Sequence, residues 1–170
     1  MLKIYITDLA AYNSGHLIGK FITLPMEEKE LETSIKEILK YGDEYFITDY
    51  EFEDVELFRV EEYSSPYELN RKMALIEESI EPYQYKSVKV LLENGLATSL
   101  EDAISKIDEI IVYPDSTMTS IAEQYIDEYT DLNGYHPLIV HHIDYEGIGR
   151  DLELEGSFFQ DGSDYFEWIG

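Results

Sequence analysis

The chain has no cysteine, which excludes disulfides, thiolate catalysis and cysteine-based zinc sites. It is also poor in positive charge. Its 12 Lys and Arg stand against 37 Asp and Glu, for a net charge of −25. Nucleic acid and anionic membranes attract proteins through clustered positive charge, so direct binding to either is not expected. No apolar run approaches membrane-spanning length. The opening Met1-Leu2-Lys3-Ile4-Tyr5-Ile6-Thr7-Asp8 lacks the basic leader and apolar stretch of a signal peptide. The expectation is a soluble, cytoplasmic protein.

What is present is apolar and aromatic. Hydrophobic residues make up 44% and aromatics 14%, with 15 Tyr, so a folded core is within reach. Self-repulsion at −25 opposes compaction, and two explanations compete for it. One is acidity for solubility or a saline environment, although such chains tend to be poorer in Ile and large aromatics. The other is a basic partner. The charge is spread, at −8 over residues 1–61, −4 over 62–103 and −13 over 104–170. A disordered acidic tail would instead be one block without aromatics.

The pattern predicts an α+β protein. Leu2, Ile4 and Ile6 alternate as a strand, residues 17–24 form a second containing Gly19, and 44–52 a third. A helix over 27–40 buries Leu31, Ile35, Ile38 and Leu39, with Gly42 as its stop. Ser64-Ser65-Pro66 opens a helix reaching Pro82, a second spans 84–94, and Ser99 with Asp102 makes a capping box for a third. A strand over 109–113, helices over 117–130 and 144–155, and a hairpin around Asp161-Gly162 complete the chain. Three subdomains follow: an α/β part over 1–61, a helical part over 62–107, and an acidic α+β part over 108–170.

Few constellations suggest chemistry. Carboxylate pairs of the kind a glycosidase uses can be drawn in many places, so they single out none. His141-His142, with His136 nearby, has no zinc spacing. Gly147-Ile148-Gly149-Arg150 lacks the third glycine of a phosphate loop, and Asp161-Gly162-Ser163-Asp164 is too short for a calcium loop. No catalytic, cofactor or metal residue is assigned.

The acids themselves form the pattern. Glu27, Glu28, Glu30, Glu32 and Glu37 fall largely off the apolar face of their helix, and Asp49, Glu51, Glu53 and Asp54 follow the third strand. Glu123, Asp127, Glu128 and Asp131 ride the helix from 117, and Asp144, Glu146, Asp151, Glu153 and Glu155 the next. Carboxylates one helical turn apart lie about 5–6 Å apart, comparable with phosphates along a DNA strand. At one charge per ~1.7 Å of duplex axis, −25 matches roughly 40 Å of DNA, and a dimer roughly 85 Å. The composition therefore suits a DNA mimic that fills a basic groove, with a small hydrolase or carbohydrate-binding module as the contrasting reading.

Several stretches resemble the ArdA antirestriction family. Ile4-Tyr5-Ile6-Thr7-Asp8-Leu9-Ala10-Ala11-Tyr12-Asn13-Ser14-Gly15, then Leu17-Ile18-Gly19 and Leu24-Pro25, are similar to its opening. Glu44 to Glu51 resembles its third strand, Glu68-Leu69-Asn70 its "E-L-N" helix, and Asp144-Tyr145-Glu146-Gly147-Ile148-Gly149-Arg150-Asp151-Leu152 its C-terminal signature. Phe21 stands where Trp is common, and 114–140 diverges, which bears on target choice. The resemblance implies three small domains in a curved rod, a homodimer mimicking bent DNA, and binding to the methyltransferase core of type I restriction–modification enzymes. Inhibition of another DNA-binding protein, such as a CRISPR effector or a repressor, is the alternative. The dimer contact is expected in the last third, with Tyr113, Phe158, Phe159 and Trp168.

Overall fold

The computed structural model describes residues 1–170. The chain forms two compact units, Met1–Lys89 and Val90–Gly170.

The first unit is a three-stranded antiparallel sheet with helices packed on it. Its elements are β1 (Leu2–Asp8), α1 (Leu9–Asn13), β2 (Gly19–Leu24), α2 (Glu28–Ile38), β3 (Tyr45–Phe52) and α3 (Pro66–Ser79), with strand order β2-β1-β3. Leu2, Ile4 and Ile6 are fully buried, as their alternation requires. Thr7 and Asp8 are fully buried too, beyond a register shift in the β1–β3 pairing at Tyr5/Ile6. Tyr5 and Gly19 explain one another. A Cβ on Gly19 would lie 2.4 Å from Tyr5 Cε1, so the glycine leaves room for a ring that also meets Phe21 edge-on at 4.8 Å.

Two expectations for this unit need correction. The helix over 27–40 ends at Ile38, and Leu39 is an extended, half-buried cap. Gly42 is not its stop. The buried Asp8 carboxylate accepts the N–H groups of Lys40 and Tyr41 and holds the chain just past the helix. Gly42 instead lies close to Ala10, where an added Cβ would come within 2.9 Å. The short helix α1 was not expected. Asp8 caps it as well, accepting from Ala11 N at 2.9 Å. In α3, Pro66 takes the first turn, but Ser65 makes no side-chain capping bond. Ser64 Oγ accepts from Glu61 N instead.

α4 (Tyr85–Glu93) spans the boundary between the units. The second unit continues with α5 (Leu100–Ser105), β4 (Ile110–Tyr113), α6 (Met118–Tyr129), α7 (Pro137–Val140), α8 (Tyr145–Leu154), β5 (Phe158–Asp161) and β6 (Asp164–Trp168). Its sheet is antiparallel in the order β4-β6-β5. Ser99 caps α5 by accepting from Asp102 N, but Asp102 reaches back to Thr98 N rather than to Ser99 N, so the box is displaced by one residue. Phe166 of β6 and Ile121 of α6 are fully buried.

α6 packs against α8 through Gly149. A Cβ there would lie 2.5 Å from the Met118 carbonyl oxygen, so only glycine allows this approach. The Gly147-Ile148-Gly149 run is thus a packing feature of a helix that Asp144 caps through Gly147 N. The β5–β6 turn is Gly162-Ser163, one residue later than expected, with Gly162 at φ +64°. That hairpin also clamps the break after β4. Buried Asp164 accepts Asp115 N at 3.0 Å, and Ser163 Oγ donates to Asp115 Oδ1 at 2.6 Å.

Candidate protein-binding surface

All eighteen carboxylates singled out from the sequence are exposed. Of the chain's 37 acids, 31 are exposed; Asp8, Asp102, Glu109, Asp161, Asp164 and Glu167 are not. The eighteen are therefore not a distinct set. Equally exposed are Glu77, Glu78 and Glu81 at and just past the end of α3, in the 62–103 stretch of smallest net charge.

The units differ in how far their acids are compensated. Net charge is −9 over Met1–Lys89 and −16 over Val90–Gly170. In the first unit Glu28 meets Arg71 at 3.5 Å, Glu51 meets Lys3 at 4.0 Å, Glu53 meets the N-terminal ammonium at 3.5 Å, and Glu32 pairs with Lys36. The Lys36 ammonium is held above its usual range by Glu32. In the second unit the bases are Lys106, tied to Asp102 at 3.1 Å, and Arg150. Residues 107–149 contain no Lys or Arg at all.

Local structure aims these groups outward. α6 buries Met118, Ile121 and Ala122 and turns Glu123, Asp127 and Glu128 to solvent. Asp131 follows as the cap of a short 3-10 turn, accepting from Asn133 N. On α8, Glu146, Asp151 and Glu153 are exposed between Asp144 at one end and Glu155 at the other. On α2, Leu31, Ile35 and Ile38 face inward while Glu28, Glu30, Glu32 and Glu37 face out.

The one fully buried acid has a structural role. Three backbone N–H groups converge on Asp8, and the Ala11 bond first of all holds its carboxyl below the usual carboxylate range, against the opposing effect of burial. Asn70, of the Glu68-Leu69-Asn70 stretch, is another polar core residue. It accepts from Met26 N at 2.8 Å and donates to Met26 O at 2.9 Å, fastening α3 to the turn after β2.

Features not foreseen from the sequence lie on the second unit. A cavity of about 200 Å³ is lined by Ile126, Thr130, Leu132, Tyr135, Ile139, Val140 and Ile143. Beside it Tyr135, Leu138 and Ile139 are exposed. The unforeseen helix α7 builds this rim, with Pro137 in its first turn and His136 Nδ1 accepting from Leu138 N. His141 and His142 are exposed just after it. Conversely, Tyr113, Phe158, Phe159 and Trp168 are half-buried rather than exposed. The Tyr113 hydroxyl donates to Glu167 at 2.8 Å, and burial, with that bond, pushes the phenol well above its ordinary range.

Fold and surface together define an acidic α+β protein that presents its charge outward. Residues 4–167 match the model of the antirestriction protein (ArdA) family, and the chain belongs to that family. No curated protein sequence matches the chain. Membership assigns it the general antirestriction function, which is exerted on restriction–modification enzymes. No helix is long and apolar enough to cross a membrane.

Proposed function

We propose that this protein mimics bent B-DNA with its surface carboxylates and occupies the DNA-binding groove of the methyltransferase core of a type I restriction–modification enzyme. The observation that carries this reading is the second unit, where −16 is spread over 81 residues and 107–149 holds no base. A solvated surface that served solubility alone would tolerate interspersed cations, as the first unit does. The binding surface in this reading is the set from Glu27 to Glu37 on α2, Asp49 to Asp54 around the end of β3, Glu123 to Asp131, and Asp144 to Glu155. Its residues fall in two of three working segments, 1–61 and 108–170, and none falls in 62–107. Meeting a basic groove releases counterions and speeds encounter, and the mechanism uses no catalytic residue, metal or cofactor. It operates in the cytoplasm, where its target cuts and modifies DNA.

A homodimer belongs to the same reading, because doubling the charge doubles the length of duplex matched. The exposed apolar rim of Tyr135, Leu138 and Ile139 around the cavity supports a self-contact there, since such patches mark association sites. Sedimentation of the wild type and of Ile139→Glu tests it, with a dimer expected for the first only.

The central experiment is calorimetric titration of a purified type I methyltransferase, with duplex DNA as competitor, at two salt concentrations. Salt-sensitive binding that DNA displaces supports groove occupancy. Binding that DNA leaves intact rejects mimicry, and no binding moves the target to another DNA-binding protein.

A further inference from the structure

Carboxylates alone attract any cation, yet one part of the second unit also carries aromatic surface. Tyr125 and Tyr129 lie one turn apart on α6, with ring centroids 4.6 Å apart and planes at 48°. Tyr129 is 68% exposed and Tyr125 36%, so the pair is not core. Glu128 immediately precedes Tyr129 in sequence and has no ion pair within the chain. Glu167 of β6 stands nearby, with one oxygen taken by the Tyr113 hydroxyl. Both carboxylates, Glu128 foremost, push the Tyr129 phenol upward, which agrees with their closeness to the ring.

We propose that the Tyr125–Tyr129 pair, flanked by Glu128 and Glu167, is a seat for an arginine side chain of the basic partner. The proposal rests on the basic-groove reading above and sharpens it from charge to a particular side chain. A guanidinium is planar and weakly hydrated, so it can lie on a tyrosine face while its edge donates to a carboxylate. An ammonium is compact and strongly hydrated and gains less from the ring. The occupant is cationic because the surroundings are anionic: residues 107–149 bring seven carboxylates besides Glu128 and Glu109 and no base. A cation already lies on an aromatic ring in the first unit, where the Lys72 ammonium sits 4.9 Å from the Phe58 ring centroid.

The test is calorimetry of the full chain with hexa-arginine and hexa-lysine peptides, for the wild type, Tyr125→Leu/Tyr129→Leu and Tyr125→Phe/Tyr129→Phe. The expected result is a preference for arginine that the Leu pair reduces by about two- to five-fold and the Phe pair retains, with lysine affinity unchanged throughout. Equal affinities in the wild type, or a preference that survives the Leu pair, overturns the seat. So does a change in sedimentation of the Leu pair, which would assign these rings to contact between copies. Failure of the groove reading shows separately, as loss of DNA competition on the methyltransferase.

Discussion

Asp8 and Asn70 show that two polar residues in family-like stretches act inside the fold. Asn70 holds both polar groups of Met26, and its loss strands them in a part-buried site. Asn70→Ala is expected to destabilise the protein by about 1–3 kcal/mol in denaturant unfolding, with partner binding unchanged at temperatures where it stays folded. Asp8 gives a pH signature. Its folded pKa lies below the unfolded value, so its contribution is present above the unfolded pKa of about 4 and is lost as pH falls through the lower folded value. Asp8→Asn should therefore be less stable than wild type at neutral pH, and the gap should narrow as unfolding is measured at progressively more acid pH.

The element scale separates packing from charge. Gly149→Ala would drive a methyl into the Met118 carbonyl where α8 crosses α6, at an expected cost of about 1–3 kcal/mol in thermal or chemical unfolding. Neutralising the outer face of α6 should do the reverse. Glu123 and Asp127 are like charges at i, i+4, a spacing that costs a few tenths of a kcal/mol. Glu123→Gln/Asp127→Asn/Glu128→Gln should leave the fold equally or slightly more stable while weakening methyltransferase binding. Each exposed charge contributes roughly 0–1 kcal/mol, so any one of the three alone should be nearly silent. A single substitution that abolished binding would point to a localised site instead.

For the whole molecule, salt should act on folding and binding with opposite signs. Screening relieves self-repulsion at −25, so the melting temperature should rise between low salt and about 0.5 M, by about 2–4 °C for each kcal/mol gained. The same screening should weaken partner binding steeply. A scanning calorimetry series beside a binding series at matched salt checks both. If stability fell with salt, the surface charges would be compensated in ways the sequence does not reveal.

The sequence by itself determined the α+β class, nearly every strand and long helix, and an overwhelmingly anionic surface. Those depend on periodicity, caps and composition, which are local or additive: Leu2, Ile4 and Ile6 announce β1, and a 37 to 12 excess of acids must appear mostly outside. Tertiary structure decided what depends on residues far apart in the chain. It buried Asp8 because the backbone beyond α2 returns to it, which moved the helix end away from Gly42. It made Gly149 a crossing point because α6 lies against it, and it left Tyr125 and Tyr129 exposed while half-burying Tyr113 and Trp168. An aromatic residue reads the same in sequence whether it fills a core or faces solvent, and only the elements packed around it settle which.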